Sequence, residues 1–170
     1  MATVKFKGGP VKLAGDEIKV GDAAPAVTLA AADLSDKKVG GAQSKAQLLV
    51  SVPSLDTPVC ATETRKFNQE AGAVEGGEVM VVSMDLPFAA GRFCTTEGVK
   101  NLTVCSDFRK KAFAKAYGVL IDEGPLACLT ARAVFVVGKD GKVAYKELVE
   151  EITAEPNYAA ALEAFKKAAA

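Results

Sequence analysis

The sequence predicts a layered α/β domain, with a central mixed β-sheet flanked by helices and an added N-terminal β-hairpin. Three features predict it. Short continuous apolar runs at Leu48–Val52 and Val79–Ser83 read as buried strands. The turn Lys139-Asp140-Gly141-Lys142 sits between two strand-like runs. Apolar residues recur at helical spacing over Phe108–Ala116 and Tyr158–Phe165.

Taken in order, Val4-Lys5-Phe6 and Val11-Lys12-Leu13 flank Gly8-Gly9-Pro10 as a short hairpin. After Asp22–Pro25, the stretch Ala26–Ala32 reads as a further strand. Leu48–Val52 is stopped by Pro53, and a helix begins near Val59–Ala61. Val79–Ser83 is followed by an expected loop over Asp85–Thr96. Ser106 is the expected N-cap of a helix to about Tyr117, with Phe108, Ala112, Phe113 and Ala116 near one face. Ala133–Val137 and Val143–Leu148 form a hairpin. Pro156 marks the start of a C-terminal helix with Tyr158, Leu162 and Phe165 at i, i+4 and i+7. Strand, helix, strand, helix, two hairpin strands and a helix is the thioredoxin-like arrangement, here with a hairpin in front. No repeat, low-complexity tract or linker divides the chain, so residues 1–170 are expected to form one domain.

Composition excludes several functions. Apolar residues make up 49% and charged residues 25%, as in ordinary globular proteins. Lys plus Arg is 21 and Asp plus Glu is 21, so no basic excess attracts nucleic acid. Met1–Phe6 carries charge where a secretory signal is apolar, and no run approaches the ~18 apolar residues of a membrane span. A soluble, cytoplasmic protein is expected. Histidine is absent, which removes Ser-His-Asp and Cys-His catalysis and every His-containing zinc site. The four cysteines, Cys60, Cys94, Cys105 and Cys128, include no Cys-x-x-Cys pair. A zinc ribbon and a thioredoxin-type dithiol are therefore excluded, and a reducing compartment disfavours a permanent disulfide framework. The cysteines are either buried apolar fillers or redox groups.

Cys60 stands out by its setting. A buried strand runs into a loop with Pro53 and Pro58, and Cys60 falls in the first turn of the next helix. Free N–H groups and the helix dipole favour an anion there. Moving a thiol from an ordinary ~8.5 to near 6 takes roughly 3.4 kcal/mol, at about 1.36 per unit. A helix terminus supplies ~0.3–1, and up to ~2, so a cation and a donor must add the rest. Thr57, three residues earlier, can fold its hydroxyl over the sulfur. The arginines are Arg65, Arg92, Arg109 and Arg132. Arg65 shares the helix of Cys60. Arg132, at the mouth of the apolar strand Val134–Val137, requires a partner, and an ordinary carboxylate remains open as that partner. Low-molecular-weight phosphatase chemistry needs Arg six positions after its cysteine; Lys66 occupies that place after Cys60.

Pro53, Thr57 and Cys60 match the peroxiredoxin motif Pro-x-x-x-Thr-x-x-Cys at every fixed position. With Ser54–Asn68, Asp85-Leu86-Pro87-Phe88-Ala89, Arg92-Phe93-Cys94, Glu97-Gly98, Ser106-Asp107-Phe108-Arg109, Gly124-Pro125-Leu126 and Ala131-Arg132-Ala133, the chain resembles the bacterial thiol peroxidase branch, an atypical two-cysteine subgroup. The resemblance implies a thioredoxin-like fold, a homodimer, and no metal or organic cofactor. It implies Cys60 as the peroxidatic cysteine, Thr57 and Arg132 as ligands of the peroxide, and Pro53 as a shield. Cys94 would be the resolving cysteine, forming an intramolecular disulfide that thioredoxin reduces. Hydrogen peroxide and small organic hydroperoxides would be the substrates. Ala89-Ala90-Gly91 looks like the flexible segment that lets Cys94 reach Cys60, with local unfolding of both. Cys105 and Cys128 lie outside the pattern and are expected as apolar packing, Cys128 drawing attention because it is four residues before Arg132. A non-catalytic thioredoxin-fold binding or holdase module and a disulfide oxidoreductase are the alternatives; the joint presence of Thr57, Cys60, Cys94 and Arg132 discriminates against both.

Overall fold

A computed structural model describes residues 1–170. The N-terminal hairpin pairs β1 (Thr3–Phe6) with β2 (Gly9–Ala14) around a turn at Lys7 and Gly8, both at positive φ. Gly9 and Pro10, expected in the turn, belong to β2 instead. Pro10 is tolerated because the strand is exposed there. Next come β3 (Val27–Ala31), β4 (Asp36–Val39), β5 (Ala46–Ser51), α1 (Pro58–Glu70), β6 (Gly77–Ser83) and α2 (Pro87–Glu97). The chain continues through β7 (Thr103–Ser106), α3 (Ala112–Ala116), β8 (Leu120–Ile121), β9 (Ala133–Val137), β10 (Val143–Leu148) and α4 (Tyr158–Ala169).

Seven strands form one mixed sheet in the order β10-β9-β5-β6-β7-β3-β4, and β8 joins the hairpin in a second sheet. β5, β6 and β7 run parallel through the crossovers α1 and α2, while β9 returns antiparallel to β5. The three central strands are buried on both faces, which explains their unbroken apolar runs. Leu48, Val50, Val79, Val81, Val134 and Val136 face one cluster with Phe67 of α1, Phe93 of α2 and Phe165 of α4. Leu49, Met80, Val82, Ala133, Phe135 and Val137 face the other, with Phe113, Tyr117 and the hairpin residues Val4, Val11 and Leu13. The mixed sheet flanked by helices and the added hairpin are those the sequence predicts.

Two expected segments differ. Asp85–Thr96 is no loop: α2 starts at Pro87 after Leu86 and stops where Gly98 adopts a left-handed φ of 67°. Pro at the first helical turn and Gly just past the end suit both boundaries. The helix expected from Ser106 to Tyr117 shrinks to Ala112–Ala116, because Ser106 still pairs in β7 and the Asp107 carboxylate accepts from the amides of Phe113 and Ala114.

α4 closes its face of the sheet through Phe165, fully buried, whose ring occupies the place a side chain at Gly77 would need: a Cβ there would come within 2.3 Å of it. Phe165→Ala is expected to lower the unfolding free energy by about 3–5 kcal/mol in urea titration; a loss under about 1 kcal/mol would show that α4 does not anchor the core.

Candidate active site

β5 ends at Ser51, and the loop Val52–Thr57 turns the chain into α1 so that Cys60 occupies the third helical position. The loop is tied down by one carboxylate. Asp85 accepts from Ser54 Oγ and from Leu55 N, both at 2.7 Å, and from Ser83 Oγ at 2.8 Å. Pro53 is buried, as is Cys60, which has no exposed surface. Thr57 is the N-cap residue without a capping side-chain bond, and its hydroxyl donates to the Ser54 carbonyl at 2.9 Å rather than to the sulfur. The donor expected from Thr57 is thus engaged, leaving its oxygen as an acceptor.

The group that reaches the sulfur is Arg132. Only 2% exposed, it donates from Nη2 to Cys60 Sγ at 3.3 Å, from Nη1 to Glu63 Oε2 at 2.5 Å and from Nε to the Ile152 carbonyl at 2.9 Å. The two partners left open for Arg132, a carboxylate and the Cys60 sulfur, are both present. Burial works against its charge, but Glu63 and Cys60 hold its pKa above the ordinary value. Glu63 is not among the residues the sequence points to; it lies three residues after Cys60 on α1, and that i, i+3 spacing is its one signal. Its second oxygen, Oε1, is buried without a partner. Burial pushes its carboxyl up from 4.5 to about 7, against the pull of Arg132.

The other expected participants are dispersed. Arg65 pairs with Glu97 of α2 at 2.9 Å and also reaches Thr62, so it links the two cysteine-bearing helices rather than touching the sulfur. Arg109 sits 3.9 Å from Asp36. Cys94 lies within α2, half-buried, and burial raises its thiol pKa. It packs against the same apolar cluster that contains Cys60. A cleft of about 340 Å³ lined by Asp56, Ala89, Arg92, Phe93, Thr96 and Glu97 joins the loop before Cys60 to α2. Cys105 is core packing, as expected, with burial pushing its thiol to about 12. Cys128 departs from that expectation: it is exposed, in a turn with φ of 75°. No group of three or more Cys, Asp or Glu is arranged to hold a metal ion.

Chemically, the arrangement presents one buried sulfur to a fixed cation beside a carboxyl of shifted acidity. The folded protein holds the Glu63 proton up to about pH 7, whereas the unfolded chain releases it near 4.5. The native state therefore binds more protons in that window, and this group makes stability fall as pH rises across it. Glu63→Gln is expected to flatten the decline of the urea midpoint between pH 4.5 and 7; an unchanged slope would show that Glu63 is ionised throughout.

Residues 19–162 match the family model described as Redoxin. The chain is 61% identical to a thiol peroxidase of Campylobacter jejuni over 159 residues, covering 94% of this chain and 90% of that protein. It is 57% identical to a thiol peroxidase of Aquifex aeolicus over 156 residues, 92% of each. The crystal structure of a peroxiredoxin-like protein from Aquifex aeolicus superposes with a TM-score of 0.95 at 54% identity, covering 98% of this chain and 97% of that one. The chain therefore belongs to the redoxin family and, within its peroxiredoxins, to the thiol peroxidases.

Proposed function

We propose that this protein is a thiol-dependent peroxidase that reduces hydrogen peroxide and organic hydroperoxides at Cys60. The contact between Arg132 Nη2 and Cys60 Sγ, both residues buried, carries the reading. The Cys60 thiolate attacks the distal oxygen of ROOH, the O–O bond breaks, and its electron pair leaves on RO⁻, which takes a proton to become ROH. Cys60 becomes a sulfenic acid. On this reading Arg132 stabilises the charge that develops on oxygen, Thr57 Oγ1 accepts the hydrogen bond of the peroxide OH, and Pro53 keeps water from the sulfur. Cys94 then attacks the sulfenic sulfur, expelling water and forming an intramolecular disulfide. A thioredoxin-type dithiol reduces that disulfide and is itself oxidised.

Because Cys94 is in a helix, resolution on this reading requires α2 and the first turn of α1 to unwind, with the Arg65–Glu97 pair released. We place the cycle in the cytoplasm, where a dithiol reductant is maintained. A homodimer is supported by the exposed Leu86, Phe88 and Phe108, whose segments the Ser106 hydroxyl joins by donating to the Asp85 carbonyl at 2.5 Å.

In a thioredoxin-coupled peroxide assay, Cys60→Ser is expected to lose all turnover. Cys94→Ser is expected to react once and then over-oxidise at Cys60, visible by mass as added oxygens. Arg132→Lys is expected to lower kcat/KM by about 10²-fold. Full activity in Cys60→Ser would refute the peroxidase assignment and favour a binding role.

A further inference from the structure

We propose that the N-terminal hairpin is part of the catalytic apparatus: through Glu151 and the Ile152 carbonyl it aims Arg132 at the Cys60 sulfur. The inference rests on the peroxidase reading above and adds a positioning residue to it. Two of the three partners of Arg132, Cys60 and Glu63, are on α1, the helix whose first turn must open during turnover. The third, the Ile152 carbonyl, is on the connection between β10 and α4. A guanidinium held only by α1 would follow that helix. The Nε bond to Ile152 supplies the reference outside it.

What fixes Ile152 is the hairpin. Ile152 N donates to the Lys5 carbonyl at 2.8 Å, and Lys5 N donates to the Glu150 carbonyl at 2.6 Å, so residues 150–152 run as a short bridge beside β1. The Glu151 carboxylate reaches the hairpin turn and accepts from Lys7 N at 3.1 Å and Gly8 N at 3.0 Å. It also accepts from Thr153 N and Oγ1, at 3.3 and 2.9 Å, tying the turn to the residue just past Ile152. These bonds occupy amides of a turn whose two residues both have positive φ and would otherwise face water. The Ile152 side chain is buried in the same cluster as Val4 and Val11, so its peptide has little freedom to shift. Val149 N meanwhile donates to the Arg132 carbonyl at 3.0 Å, holding the backbone of Arg132 to the same segment. Glu151 thus grips at one end a chain of bonds that ends on the sulfur's cation. The family match spans residues 19–162, so the hairpin half of this device lies outside it, while Glu151, Ile152 and Arg132 lie within it.

The test compares Glu151→Ala, Glu151→Gln and, as a control, Lys146→Ala, which breaks the separate pair with Glu17. Stopped-flow reduction of hydrogen peroxide by the pre-reduced protein and alkylation of Cys60 by iodoacetamide are measured on each. Alkylation creates no oxyanion and does not call on Arg132 in that role. Glu151→Ala is expected to slow the peroxide reaction about three- to tenfold, lower the ratio of peroxide to alkylation rate, and speed amide exchange at Lys7 and Gly8. Glu151→Gln, which keeps an acceptor oxygen, is expected to recover most of the rate, and Lys146→Ala to match the unmodified protein. Faster exchange with an unchanged rate ratio would overturn the inference, and so would unchanged exchange. An unmodified protein that fails to reduce peroxide would instead overturn the peroxidase reading.

Discussion

One buried guanidinium organises this molecule. Arg132, immediately before β9, meets Cys60 and Glu63 of α1 and the Ile152 carbonyl after β10 at once, and each contact is made by a different nitrogen. A buried arginine with a partner removed is costly, because the charge has no water to return to. The surrounding structure is accordingly arranged around keeping all three partners in place: Asp85 ties the loop before α1, Thr64 donates to the Cys60 carbonyl at 2.8 Å, and Thr130 Oγ1 donates to the Val52 carbonyl at 2.6 Å.

On the proposed function, the same constraint creates a conflict. Cys60 has no exposed surface, and Cys94 is held in α2, so the packed state opposes a Cys60–Cys94 disulfide. A helix terminus is the least secured part of a helix, since its first amides lack intrahelical partners. α1 carries neither a side-chain cap nor an acidic residue in its first turn. The missing cap lowers the cost of opening the turn that bears Cys60, and the buried contact of Cys60 with Arg132 opposes it. Arg65 and Glu97 are 41% and 33% exposed, so their link between the helices is worth little in water and yields readily.

How much of this was legible in the sequence depended on which signals are local. The central strands are legible because burial on both faces keeps polar residues such as Gln47, Ser51 and Ser83 near their ends, and the β9–β10 turn carries its own chemistry. β4 leaves no strand signal because an edge strand reading Asp-Lys-Lys-Val looks like a solvated loop. β8, two residues long, is defined by its pairing with β2 and a bridge to Thr130. α2 was hidden by Gly91 and Thr95-Thr96, poor helix formers that packing of Ala90 and Phe93 overrides. At the site, Pro53, Thr57, Cys60 and Arg132 were visible as types and spacings. Glu63 sat in plain view at i+3, but nothing in one helix says that a distant arginine will arrive to pair with it. The Ile152 carbonyl belongs to no residue type at all, and backbone acceptors leave no trace in a sequence.

The most direct test of the account is the cysteine chemistry itself. Reduced protein is treated with one equivalent of a hydroperoxide, the remaining thiols are blocked, and the linked peptides are mapped by mass spectrometry. The account predicts a single Cys60–Cys94 disulfide that thioredoxin removes. A disulfide built from Cys105 or Cys128, or an unoxidised Cys60, would contradict it.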